Sequence, residues 1–178
     1  MVLRGWVRPH SRGQALVEFA LVVPVFIALV GAIVQFGTLF WAQNTLTQVV
    51  RDTGRWEATQ QSCTNEALVV GQANAIAANS ALIGYSSWGA ASTPNDLGVN
   101  VQFLKGASDG TSAPVTFPDA GCPPKDNSTV YYVSVSIRHQ VPVFFPGMQY
   151  LPGLGTCDSS GCHIALSSTA QFRLEPKP

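Results

Sequence analysis

"RGQALVEFALVVPVF", residues 12–26, sets one carboxylate, Glu18, at the start of a run that otherwise reads as membrane-spanning. An acid at the centre of a bilayer helix costs about 2.5 to 3.5 kcal/mol on insertion scales, so an ionisable group there usually has a partner or a task. From Phe19 to Val50 the chain contains no Asp, Glu, Lys or Arg, and between Phe19 and Trp41 only Gln35 and Thr38 are clearly polar. At a rise of about 1.5 Å per residue, Phe19 to Trp41 reaches roughly 35 Å as a helix, enough for a hydrocarbon core of about 30 Å. Helical spacing continues through Leu46, Val49, Val50 and Trp56, which predicts one unbroken helix over residues 14–60. Pro24 is expected to bend it or loosen its hydrogen bonds, and Gly31, Gly37 and Gly54 are close-packing positions or weak points.

Charge gives the run a direction. Arg4, Arg8 and Arg12 precede it without an acid, whereas Arg51 and Arg55 beyond it are balanced by Asp52 and Glu57. The positive-inside rule then puts the N-terminus in the cytoplasm and exports the remainder of the chain, with Phe40 and Trp41 at the far interface. Three parts result: a basic leader over residues 1–13, the transmembrane helix over 14–60, and an extracytoplasmic head over 61–178. The formal net charge is zero and 11% of residues are charged, so nothing electrostatic favours a nucleic-acid partner.

The head reads as α+β. Residues 62–84 predict a second helix, capped by Thr64 or Asn65, ended by Gly84, and laying Leu68, Val69, Ala73, Ile76 and Leu82 on a sheet. Alternating segments at 99–104, 130–145 and 162–175 predict an antiparallel meander of three or four strands. All four cysteines, Cys63, Cys122, Cys157 and Cys162, fall on the exported side. An even count outside the cytoplasm favours disulfides, and Cys157 with Cys162 around "DSSG" and Cys63 with Cys122 are the preferred pairs among three possible pairings. A zinc site with His163 is the weaker alternative, since exported thiolates are usually oxidised.

Catalytic chemistry is sparse, and neither a cofactor nor a metal is expected. His10 lies in the leader, while His139 and His163 fall on predicted strands, where a structural role is the commoner one. No nucleophile elbow, zinc-protease helix or phosphate loop occurs. "NDLG" and "SDG" fit turns better than calcium, and the Asn127-Ser128-Thr129 sequon matters only in a eukaryotic secretory setting. The apolar stretch "VPVFFPGMQYLPGLG" either packs over its own sheet or offers a partner surface.

A basic leader, Gly13, four residues, Glu18, Phe19 and then a long apolar helix containing a proline resemble the type IV prepilin pattern. "RGQALVEFALVVPVF" resembles most closely the start of TadE-like proteins, minor pilins or pseudopilins of the tight-adherence (Tad) adhesion pilus of bacteria. The closing stretch from "VSVSIRHQVPVFFPG" to "HIALSSTAQFRLE" is similar to that family's last strands, whereas residues 85–129 resemble nothing quotable. The resemblance implies a pilin-like fold, a subunit that does no catalysis, and insertion in the inner, cytoplasmic membrane. It implies a prepilin peptidase cutting after Gly13, so that Gln14 becomes the N-terminus and Glu18 the fifth mature residue. Its further partners would be other Tad pilins and pseudopilins and the pilus assembly platform. In a bundle of such helices, Glu18 could neutralise the freed amine of a neighbouring subunit and set its stagger, with Phe19 beside it in the contact.

Simpler readings stand alongside. Glu18 can snorkel at the cytoplasmic interface, Gly13 can be an ordinary helix-boundary glycine, and a signal peptidase could cut after Ala32. Glu18 and Pro24 within the would-be signal core speak against that last reading. The helix could also be a plain anchor for an extracytoplasmic enzyme or binding domain. These readings differ in the mature N-terminus: Gln14 for the pilin, Met1 for the anchored domain, Ile33 for the secreted one.

Overall fold

The computed structural model describes residues 11–60, 66–106, 112–115, 129–145, 155–159 and 161–174. Helix α1 runs without a break over Ser11–Thr59 and contains Pro24. Thr38, Thr45, Thr47 and Thr53 each donate their hydroxyl to a carbonyl three or four residues back, so these polar side chains are satisfied within the helix itself. The helix ends where Thr59 and Gln60 turn back on it. The Thr59 hydroxyl donates to the Trp56 carbonyl, and the Gln60 amide to that of Glu57 at 3.0 Å.

Helix α2, Glu66–Ala78, stops six residues before the glycine expected to end it. Asn79 and Ser80 close the last turn with backbone bonds to Ile76 and Ala77, and their side chains donate to the carbonyls of Ala75 and Ala77. That local competition for backbone acceptors is why Asn and Ser end helices. Leu82 is buried but belongs to the following turn, and Leu68 is exposed. Val69, Ala73 and Ala77 form the buried face of α2, which lies mainly along α1 and meets the sheet chiefly at its strand Gly98–Gly106. The expected capping residues Thr64 and Asn65 lie outside the described residues.

Among the described residues the head has five strands: β1 (Gly98–Gly106), β2 (Ser112–Pro114), β3 (Tyr131–Pro142), β4 (Thr156–Asp158) and β5 (Gly161–Arg173). They form one antiparallel sheet in the order β2-β1-β3-β5-β4, three long strands with a three-residue strand at each edge. The α+β class predicted from the sequence is therefore the class of the structure: a long apolar helix, a second helix and an antiparallel sheet in a pilin-like arrangement.

Alternation along the strands separates two faces. Val99, Val101 and Phe103 on β1, Val133, Val135 and Ile137 on β3, and Leu166, Ala170 and Phe172 on β5 face the helices. On the opposite face Asn100, Ser136 and Thr169 share one row, and the Ser136 and Thr169 hydroxyls bond at 2.8 Å. One face packed and one polar is the ordinary solution for an antiparallel sheet. The inner face is covered chiefly by the C-terminal half of α1, which crosses β3 and β5. Its buried stripe is Gln35, Ala42, Leu46, Val49, Val50, Thr53 and Glu57; apart from the adjacent Val49 and Val50, which widen it, successive members lie three, four or seven residues apart, as one helical face requires. Small residues at Ser168 and Ala170 let the helix approach β5, where Gln43 donates to the Ser167 carbonyl at 3.0 Å. A Cβ on Gly54 would lie 2.6 Å from the Phe172 ring, so glycine there makes the notch that seats the ring.

The connector from α2 to β1 is held by a polar knot. Asn74 Oδ1 accepts from the Tyr85 hydroxyl and the Trp88 backbone amide, both at 2.8 Å, and Asn74 Nδ2 donates to the Trp88 carbonyl. The Trp88 indole N–H donates to His139 Nδ1 at 3.3 Å, and the other ring nitrogen lies 2.8 Å from the Ile83 carbonyl. An indole only donates, so Nδ1 accepts and Nε2 carries the proton: this is the neutral tautomer. Burial also lowers the His139 pKa from its ordinary value.

Candidate functional site

The N-terminal half of α1 differs from everything else described. From Gly13 to Val30 every residue except Val23 is exposed, and the side chains are large and apolar, Leu16, Phe19, Leu21 and Val25 each showing about two-thirds of their surface. A soluble protein rarely presents such a continuous apolar surface without something to cover it. By length and composition α1 is the one helix among the described residues that can cross a membrane, and its most apolar window is wholly unburied within the chain.

Glu18 is the one acid in this half. Its Oε1 accepts from Gln14 Nε2 at 3.2 Å, one helical turn back. Side chains on a helix lean towards its N-terminus, so the carboxylate lies over the preceding turn, against Gln14. Gly13 lies within the helix with nothing around the position of a Cβ, and the Phe19 ring is exposed. Gly13, Gln14, Glu18 and Phe19 thus share the first turns of one bare helix end. Residues 1–10 of the leader, with His10, lie outside the described residues.

The boundary of the bare half is not legible in the sequence. At Gly31 the helix meets the chain leaving β3: a Cβ on Gly31 would overlap the Phe145 ring. One turn on, buried Gln35 accepts from the backbone amides of Phe144 at 2.9 Å and Phe145 at 3.3 Å through Oε1, while its Nε2 finds no partner among the described residues. In "VPVFFPGMQYLPGLG", Val141 and Pro142 close β3, Phe145 packs on α1 and Phe144 is exposed, and residues 146–154 lie outside the described residues. A glycine and a glutamine one turn apart in an apolar helix are the available signal, but the partner is more than a hundred residues away.

The remaining candidates resolve into structure. Cys157 and Cys162 are paired across β4 and β5 with their sulfurs joined, so they present no free thiolates beside His163. Cys63 and Cys122 lie outside the described residues. Asp96 of "NDLG" accepts from the Thr93 amide and hydroxyl, both at 2.9 Å, as a turn residue does, and "SDG" is outside the described residues. An open groove beside it, lined by Asp96, Arg138, Gln140 and Thr156, has its guanidinium donating to the Asn95 carbonyl at 2.7 Å. Among the described residues no three His, Cys, Asp or Glu side chains converge as a metal site would need.

Residues 13–55 match the family model described as TadE-like protein. Comparison with curated proteins and with solved structures gives no match. The matched segment is about a quarter of the chain and covers both the bare helix end with Glu18 and most of the stripe that holds the sheet. Over that helix, from Gly13 to Arg55, the sequence is similar to TadE-like proteins.

Proposed function

We propose that this protein is a membrane-anchored minor pilin or pseudopilin that takes part in assembling a Tad-type adhesion pilus. It spans the bacterial inner membrane once, N-terminus in the cytoplasm and head outside, and it works as a structural subunit rather than a catalyst. Prepilin peptidase cuts after Gly13, and the new α-amine of Gln14 is met by Glu18 of a neighbouring subunit, with Phe19 packed beside the pair. Other Tad pilins and the assembly platform are the partners of the bare helix.

The observation that carries this reading is the union of two features on one helix end: a long apolar surface with nothing of its own chain against it, and a lone carboxylate close to a glycine at the expected cutting position. In lipid, Glu18 lies near the edge of the span and its charge is cheaply hydrated. Once the helix leaves lipid for a protein bundle, the same carboxylate needs a cation, and the amine released by cleavage supplies one of opposite sign. Removing the leader also discards Arg4, Arg8 and Arg12, three charges that hold the chain on the cytoplasmic side.

N-terminal sequencing of the protein recovered from membranes tests this. A sequence starting Gln14-Ala15-Leu16 is expected. Met1, from cells whose prepilin peptidase is demonstrably active, would leave a simple anchored domain, and Ile33 would leave a secreted one.

A further inference from the structure

The aromatic pair that succeeds β3 is fixed to the helix at a definite depth. Val143 N–H donates to the Cys162 carbonyl at 2.8 Å, and the next two amides donate to Oε1 of Gln35. Phe145 turns inward to the Gly31 notch, while Phe144 turns outward and is 64% exposed. Successive residues of an extended chain point to opposite sides, so seating Phe145 on α1 forces Phe144 out.

That depth lies just inside the top of the span. Counted from Phe19, the first residue after Glu18, a hydrocarbon core of about 30 Å ends near Leu39, about one helical turn beyond Gln35. Above Gln35, Phe36, Phe40 and Trp41 remain exposed on the faces of α1 that the head leaves uncovered. Phe40 and Trp41, about 1.5 and 3 Å beyond Leu39, then stand at the start of the headgroup layer. Phe144 therefore adds, on the head, an apolar ring just below the Phe40 and Trp41 level of the helix, where the outer acyl chains offer it an apolar surrounding.

We propose that Phe144 is a membrane anchor carried by the head, lodged among the outer acyl chains just below the headgroups, and that the Gln35 and Gly31 contacts set its depth. This rests on the reading of α1 as a membrane anchor. The head then sits on the bilayer surface instead of standing off it on a free stalk, and its orientation about the helix axis is fixed before assembly. The occupant of the exposed ring is phospholipid, because the surface that Phe144 extends is the lipid-facing one.

The test uses the full chain in cell membranes with Phe144→p-benzoylphenylalanine, a photoreactive ring of similar shape, and two reference positions. Phe26→p-benzoylphenylalanine reports on mid-span, and Leu68→p-benzoylphenylalanine reports on an exposed apolar position at the start of α2, next to the distal end of α1. After irradiation, lipid adducts are read by mass on the peptides containing each position. Adducts at 26 and at 144, the latter exceeding position 68 by roughly tenfold or more, are expected for a ring held in lipid. Adducts at 26 with none at 144, or a protein adduct at 144 in place of lipid, would overturn the proposal while leaving the anchor intact. Absence of lipid adducts at 26 would instead remove the anchor reading, and the proposal with it.

Discussion

Between Gly13 and Val30, α1 shows nearly all of its surface to the outside; between Gly31 and Thr59 the same helix buries one stripe against α2 and the sheet. The N-terminal half is apolar almost throughout, whereas the C-terminal half mixes in polar and charged residues and gathers most of its buried apolar ones on one stripe. In the C-terminal half, small and polar residues mark where the head fits: Gly31 and Gly54 admit aromatic rings, Gln35 holds two amides and Gln43 one carbonyl. In the N-terminal half the large residues point in every direction, and no such marks occur. A helix built to meet its own chain carries a stripe, and a helix built for lipid or other helices carries a uniform coat.

The sharpest contrast comes from truncating a leucine in each half. Leu46→Ala removes a fully buried side chain and is expected to cost the head about 2–5 kcal/mol. Leu21→Ala, on the bare half, should stay within about 0.5 kcal/mol. Thermal unfolding of the detergent-solubilised protein compares them, and an equal loss for both would erase the distinction between the halves.

Glycines sharpen it further. Gly54→Ala drives a methyl into the Phe172 ring, an overpacking expected to cost about 1–3 kcal/mol. Gly37→Ala meets no atom and should be neutral or gain up to about 1 kcal/mol from helix propensity. The same melts read both, with the order of the two variants as the result that matters.

A smaller effect separates the head from the bare helix through pH. The His139 pKa is lowered in the folded head, chiefly by burial. The unfolded chain therefore binds more protons below the ordinary value near 6.5, so this contribution to stability is full above that value and is lost as pH falls beneath it. Protonation would also set a second donor on Nδ1 against the Trp88 indole N–H. His139→Gln should flatten the fall in melting temperature between about pH 7 and 5, while leader removal and membrane insertion stay unchanged.

How much of this is legible in the sequence depends on the range of each contact. The long helix, the three long strands and the α+β class rest on periodicity within about a dozen residues, and they appear near the predicted places. The three-residue edge strands are too short to alternate visibly. The predicted second helix is too long because Asn79 and Ser80 fit a helical pattern, and only their bonds back to Ala75 and Ala77 end it. Gln35 stands out in the sequence only as a polar residue in the span. Its meaning depends on Phe144 and Phe145, joined to it by the fold and by nothing local. The first turns of the helix, by contrast, are legible entirely from Gly13, Glu18 and Phe19, because that region takes no shape from the rest of the chain.

The most direct test of the claim that Glu18 is an assembly group is Glu18→Ala expressed in place of the native protein, with sheared pili and membranes analysed separately. The account predicts a folded head, a product starting at Gln14 in the membrane, and loss of this subunit from the pilus complex together with loss of surface attachment. A Glu18→Ala protein that enters the complex and supports attachment like the native one would contradict it.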